Sequence, residues 1–302
     1  MVGGGSCLSA VSLCGSYLRR SINSAGIFSQ KLEIDSGDTT IHFWGPPAPT
    51  SKPKLILLHG FGPQSIWQWH KQIPFFAPKF DVYVPDLLFF GDSYSNSHER
   101  SEIFQASSIA KFLEKLGIQK YSVMGTSYGG FVTYRLAAMW PDRVEKVVIA
   151  SSGVNLRRRD NEGLIKRANV ERIDDVMLPN SPARLRVNMG LGVYKPPYIP
   201  DFILKDFVDK LFLDNKKEKM ELLKGLTLGR DNTIDISPLP QEVLIVWGDQ
   251  DKIFLLEKAT ELKELLGEKA RLEVIKNTAH TPQLEQPSKF NKILKNFLHD
   301  LS

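Results

Sequence analysis

Three side chains, far apart in the chain, have the types and surroundings that nucleophilic chemistry requires. Ser127 stands in Gly125-Thr126-Ser127-Tyr128-Gly129, directly after an apolar run and before "FVTYRLAAMW". Glycines on both sides of one serine suit a tight strand-to-helix turn. Such a turn can serve packing alone, or it can hold the hydroxyl up for attack on a substrate. A serine hydroxyl is a poor nucleophile until a base takes its proton. Of the six histidines, His280 lies in "NTAHTPQLEQP", after the last apolar run and before the C-terminal helical pattern. His59, followed by Gly60, reads as a turn histidine bonded to backbone. His42 falls in a hairpin, and His70, His98 and His299 fall in polar contexts. The base in turn needs a carboxylate to fix its tautomer. "WGDQD" offers Asp249 and Asp251, and Asp251 is preferred because it reaches further past the strand end. An oxyanion needs two backbone N–H donors. Tyr128, next after the nucleophile, and Phe61, in His59-Gly60-Phe61-Gly62, are placed to supply them. A phosphate cradle at "GFGP" is excluded by the absence of a following Lys-Ser/Thr.

These residues must be carried by a sheet. "KLEIDSGDTTIHFWG" alternates, turns at Ser-Gly-Asp and alternates back, the pattern of a hairpin. Six short apolar runs follow, at 55–59, 81–86, 121–125, 146–152, 243–248 and 271–277. They lack polar alternation, as strands covered on both faces do. Helical patterns lie between them, such as "SSIAKFLEKLG", "EKATELKELLG" and "PSKFNKILKNFLHDL". The expectation is an α/β fold, a mostly parallel eight-stranded sheet with helices on both faces. Residues 153–235 contain no strand run and read as a helical cap inserted above the sheet. The core is then 31–152 with 236–302. Ligands of open α/β sheets bind outside the carboxyl ends of the strands, so a cap there would wall the site.

The composition closes off other classes. The net charge of +5 on 302 residues is mild, and basic and acidic residues are interleaved, so no nucleic-acid partner is expected. Arg157-Arg158-Arg159 is followed by Asp160 and Glu162 and reads as a solvated surface. With only Cys7 and Cys14, neither a disulfide framework nor a metal site is expected, and a cytoplasmic location is the default. Residues 1–30 admit a reading as disordered chain and two others. They lack acids and contain serines and Arg19-Arg20, as a targeting peptide does. Leu8, Val11, Leu18 and Ile22 also form one helical stripe, which fits a helix docked on the body or lying on a membrane surface.

Taken together, "LLHGFG", "GTSYGG", "WGDQDKIF" and "AHTPQLEQP" resemble the α/β-hydrolase superfamily over residues 32–302. The chain order Ser127, Asp251, His280 is the one expected of that fold. "HGFGP", with the later "WQW", resembles carbon–carbon bond hydrolases acting on ring-cleavage products. The whole chain resembles plant members similar to monoacylglycerol lipases. The family pattern D-x-P-G-x-G-x-S is replaced here by Asp86-Leu87-Leu88-Phe89-Phe90-Gly91-Asp92-Ser93, and the proline usual four residues after the acid is Leu255. The resemblance implies a serine hydrolase working through an acyl-enzyme without a cofactor, on a small-molecule ester or lipid-like substrate. Leu88, Phe89 and Phe90, with Tyr194 of the cap, are expected to line an apolar acyl site. Two alternatives stand beside it. One is carbon–carbon bond hydrolysis with Arg135 or a cap arginine as carboxylate anchor. The other is a binding or receptor module that barely turns over.

Overall fold

The computed structural model describes residues 9–299. Eight strands form one sheet in the order β1-β2-β4-β3-β6-β7-β8-β9, and a two-residue strand, β5, pairs with β2. In chain order the elements begin with α1 (Ala10–Ser24), β1 (Phe28–Asp35), β2 (Thr39–Gly45), β3 (Lys54–Leu58), α2 (Ser65–Trp69) and α3 (Ile73–Phe76). Then come β4 (Asp81–Pro85), β5 (Tyr94–Ser95), α4 (Glu102–Lys115), β6 (Tyr121–Thr126), α5 (Tyr128–Met139) and β7 (Val144–Ala150). Between β7 and β8 lie α6 (Arg158–Ala168), α7 (Asp174–Met177), α8 (Pro182–Gly192), α9 (Asp201–Phe207), a π-helical turn (Val208–Phe212) and α10 (Lys216–Gly225). The chain closes with β8 (Glu242–Gly248), α11 (Leu256–Leu266), β9 (Ala270–Ile275), α12 (Pro282–Glu285) and α13 (Pro287–Phe297).

The β1–β2 hairpin is antiparallel with Leu32 opposite Ile41, and β2 joins β4 antiparallel. From β4 to β9 every pairing is parallel. Successive side chains of a strand point to opposite faces, and the sheet uses this to build two cores. Ile56, Leu58, Val123, Val147, Ile149 and Ile245 pack with Ile109 and Phe112 of α4 and Leu262 of α11. Leu55, Leu57, Met124, Val148, Leu244 and Val246 pack on the other face with Ile22 of α1, Phe76 of α3 and Phe290 and Leu294 of α13. Burying a side chain of this size is worth about 1.5–3 kcal/mol. The continuous apolar runs are therefore what drive this sheet to be covered on both sides.

Local signals set the helix ends. Ser101 caps α4 by accepting from the Phe104 N–H at 3.1 Å, and Gly117 follows the helix with φ 72°. Ser181 caps α8, and Pro182 occupies its first turn. The helix expected near the N-terminus lies on the body of the protein. Val11, Gly15, Leu18 and Ile22 are buried, whereas Leu13 and Tyr17 face outward, and Leu8 of the expected stripe falls outside the described residues. Its first turn is held by Asp206, which accepts from Ser9 Oγ at 2.7 Å and Val11 N at 2.9 Å. A small third core joins Val11 to Leu204, Val208, Leu211 and Phe212 of the segment between β7 and β8. No described helix is long and apolar enough to cross a membrane.

Candidate active site

Strand β6 ends at Thr126, and α5 starts at Tyr128. Ser127 between them has φ 51° and ψ −120°, a conformation that costs an L-residue about 1–3 kcal/mol. The turn admits no side chain at its flanks. A Cβ on Gly125 would fall on the Gly129 carbonyl, and one on Gly129 would fall on the carbonyls of Leu58 and His59. The structure thus gives a physical reason for both glycines around the serine. The strained turn keeps the side chain at the sheet edge, and Ser127 remains 6% exposed.

His280 lies in the loop between β9 and α12, and Asp251 in the loop between β8 and α11. The structure brings both to Ser127. His280 Nε2 is 2.9 Å from Ser127 Oγ, and His280 Nδ1 is 2.8 Å from Asp251 Oδ2. The other oxygen, Asp251 Oδ1, accepts from the N–H groups of Ile253 at 2.8 Å and Phe254 at 3.0 Å. A carboxylate can only accept, so Nδ1 carries the ring proton and Nε2 is left with a lone pair toward the hydroxyl. The imidazole also makes an edge contact to Phe254, with centroids 5.3 Å apart, and the backbone N–H of His280 donates to the Gly192 carbonyl at 3.1 Å. Asp249 does different work, accepting from Thr278 N at 3.3 Å in the loop that carries His280.

The two residues expected to supply oxyanion donors, Phe61 and Tyr128, both border cavities that Ser127 also lines. Tyr128 is the first residue of α5, so its N–H has no intrahelical acceptor. Phe61 shares the cavity with Ser127, and the loop bearing it is clamped by a residue with no signal in the sequence beyond its place in "WQW". Gln68 accepts from Gly60 N at 2.8 Å and donates to the carbonyls of Gly60 at 3.1 Å and Pro63 at 2.8 Å. His59 is fully buried, donating from Nδ1 to the Gly60 carbonyl and accepting the Leu87 N–H at Nε2. Burial holds its pKa below the ordinary histidine range, with Asp86 working the other way.

A family model described as the α/β hydrolase fold matches residues 53–287. The chain belongs to the α/β hydrolase fold family. The monoacylglycerol lipase ABHD6 of Mus musculus is 26% identical over 271 residues, covering 83% of this α/β hydrolase and 76% of the relative. The 2-hydroxy-6-oxononadienedioate/2-hydroxy-6-oxononatrienedioate hydrolase of Escherichia coli K12 is 23% identical over 89% of this chain and 95% of its own. The structure of a putative lipase from Acinetobacter baumannii superposes with a TM-score of 0.82 at 23% identity, covering 98% of this chain and 99% of that one, and shows the same fold.

Two cavities of this α/β hydrolase meet at Ser127. The larger, about 410 Å³, is lined by His280, Gln68, Asn188, Gln283 and apolar groups including Trp67 and Phe207. The smaller, about 80 Å³, is walled by Tyr128, Phe131, Leu164, Ile173, Leu226 and Phe254 and does not touch His280. Phe61, Met177 and Ser127 are common to both. Of the residues expected to form the acyl site, none lines either cavity. Leu88, Phe89 and Phe90 are buried behind it, because Gln105 holds both backbone groups of Leu88, and Phe89 adopts φ 73°. Phe90 supports the site indirectly, edge-on to Phe61 with centroids 5.2 Å apart. Tyr194 contributes its N–H to Glu285 at 2.8 Å, and its ring lies beside the Lys195 ammonium. The aromatic residues Tyr198 and Phe202 point outward. Arg135 is committed to Glu102 at 3.1 Å and lies in neither cavity. Among the described residues no cluster of potential ligands could hold a metal ion.

Proposed function

We propose that this α/β hydrolase cleaves carboxylic esters through an acyl-enzyme on Ser127, with His280 as the base and Asp251 as its orienting carboxylate. The unbroken contact from Asp251 through His280 to Ser127, at 2.8 and 2.9 Å, carries this reading. Attack transfers the hydroxyl proton to His280 Nε2, and the developing oxyanion faces the N–H groups of Phe61 and Tyr128. The leaving alkoxide then takes the proton back from Nε2, and water repeats the cycle to release the acid. Residues 153–235 act as the cap over a core of 31–152 and 236–302.

Proton return fixes which end of the ester goes where. The alcohol must lie within reach of Nε2, so it occupies the larger cavity, which His280 lines, and the acyl group enters the small apolar one. This supports an ester with a short apolar acyl group and a bulkier, mainly apolar alcohol. The lipase names among its relatives agree with ester chemistry. The outward Leu13 and Tyr17, with Arg19 and Arg20, support peripheral contact of α1 with a lipid surface. Carbon–carbon bond cleavage of a dicarboxylate is less well served, because the larger cavity presents no lysine or arginine to a substrate carboxylate. The test is hydrolysis of p-nitrophenyl esters from acetate to decanoate. Efficiency should rise to about butyrate and then fall, while butyrates of progressively larger alcohols stay good substrates. Inert esters combined with turnover of a dienoic diketone would overturn the proposal. A folded wild type that no fluorophosphonate labels at Ser127 would establish a binding role instead.

A further inference from the structure

A second serine–histidine–aspartate relay lies on the hairpin, in a cavity the catalytic reading does not use. His42 on β2 stands directly opposite Lys31 on β1, and Ser29 is its diagonal neighbour, opposite Trp44. The Ser29 hydroxyl is 2.8 Å from His42 Nε2, and His42 Nδ1 is 2.7 Å from Asp86 Oδ2. These contacts repeat the connectivity and the lengths of those at Ser127. Asp86 and His42 are buried, at 2% and 8% exposure, and Ser29 is open to solvent.

The arrangement fixes the roles of the atoms. Asp86 Oδ1 accepts from Ser65 N at 2.9 Å and Ser65 Oγ at 2.6 Å, so Oδ2 is left to take the His42 Nδ1 proton. Nε2 of His42 is then the acceptor for the Ser29 hydroxyl. The backbone of His42 is tied, its N–H donating to Ser93 Oγ at 2.9 Å and its carbonyl accepting from Asp86 N at 2.9 Å, and Trp44 stands edge-on to the imidazole at 5.9 Å. The hydroxyl opens into a cavity of about 220 Å³ lined by Arg19, Trp44, Gln64 and Gly91. Asp92 also borders it, paired at 2.9 Å with Lys31. Arg19 of α1 lines the same cavity, with its guanidinium 3.4 Å from Ser16 Oγ.

From this geometry we propose that Ser29, His42 and Asp86 form a second nucleophilic site that accepts acyl groups from small activated esters, independent of Ser127. In the step, Ser29 Oγ bonds to the carbonyl carbon and its proton passes to His42 Nε2. The carbon–oxygen bond to the alcohol breaks, and the alkoxide leaves with that proton. With a fluorophosphonate, an oxygen–phosphorus bond forms at Ser29, fluoride departs, and the proton goes by way of His42 to solvent. Ser29 sits in a regular strand without the strained turn of Ser127 and without a facing pair of free amides. Losing one oxyanion donor typically costs roughly 10²–10³ in rate, so the site should react at least that much more slowly than Ser127.

The experiment treats full-length Ser127→Ala with a fluorophosphonate and maps the adduct by peptide mass spectrometry. The adduct should form on Ser29, at least ~10²–10³-fold more slowly than on Ser127 of wild type. It should vanish in Ser127→Ala/Ser29→Ala and slow at least ~10-fold in Ser127→Ala/His42→Gln. No adduct on Ser29 after prolonged exposure overturns the proposal, and so does labelling that His42→Gln leaves unchanged. If His42→Gln fails to fold by circular dichroism, S29C decides. An activated thiol there should be alkylated by iodoacetamide at least ~10-fold faster than the exposed Cys14 of the same molecule, and equal rates refute the relay.

Discussion

Replacing Asp251 by asparagine tests the catalytic reading most sharply, because the substitution keeps the shape and reverses one hydrogen bond. Oδ1 of Asp251 accepts two backbone N–H groups, at 2.8 and 3.0 Å, and only an oxygen can do so. Asparagine must therefore leave its carbonyl toward Ile253 and Phe254 and turn its NH₂ toward His280. A donor now faces Nδ1, so Nδ1 becomes the acceptor and the ring proton moves to Nε2. That proton points at Ser127 Oγ, and the base has no lone pair with which to take the serine hydroxyl proton. The loss expected for a wrong tautomer in an otherwise intact relay is about 10⁴-fold in kcat, or roughly 5.5 kcal/mol of barrier at ~1.4 kcal/mol per decade. KM for a p-nitrophenyl butyrate should change little, since Asp251 lines neither cavity. Initial rates with purified Asp251→Asn, beside Asp249→Asn as control, measure it. If Asp251→Asn retains more than a tenth of wild-type kcat while Asp249→Asn loses activity, the assignment of the acid is wrong.

Other outcomes follow from the same geometry. Ser127→Gly should be more stable than Ser127→Ala by about 1 kcal/mol in urea unfolding, reversing the usual order, because glycine relieves the positive φ at that turn. Equal midpoints would show that the turn is unstrained. Glu285→Ala frees the part-buried amides of Ala279 and Tyr194, which its carboxylate now accepts. A stability loss of about 1–3 kcal/mol is expected, with a fall in kcat, and an unchanged melting temperature would contradict it. His59 is kept neutral by burial, so its folded pKa lies below the unfolded value. The unfolded chain then binds the extra proton first, and stability present above about pH 6.5 declines as the pH falls through that value. Unfolding free energies from pH 8 to pH 5.5 should show the slope in wild type and a shallower one in His59→Gln.

The strands were legible because burial on both faces writes itself as unbroken apolar runs, and all eight expected strands take their places in the sheet. The candidate site residues were legible for a related reason. Each follows such a run at the carboxyl edge, where the topology must gather them, and Ser127, Asp251 and His280 meet there. The cavity walls were not legible. Leu88, Phe89 and Phe90 look in the sequence like a lining, but hydrogen bonds from Gln105 and the φ of Phe89 turn them into a layer behind it. Met177, Leu164 and Leu226 do the lining instead, from the segment between β7 and β8, where no strand edge fixes a register. Gln68 and Glu285 carry no signal in the sequence because each acts by holding backbone groups, and backbone leaves no trace in residue type.

The far end of α8 bears on how anything reaches Ser127. Its last residues are stitched to the machinery itself: Gly192 accepts from His280, the Tyr194 N–H reaches Glu285, and Leu191 accepts from Lys252 beside Asp251. Under the cap and relay proposed above, lifting that end would break the bond between Gly192 and His280. Elsewhere around the larger cavity Trp67 and Phe207 meet edge to face beside Val11 of α1, and under the proposed cap substrate would enter there. Helix α1 would then stand beside the way in, and trimming it is expected to alter the rate of entry before it alters the chemistry.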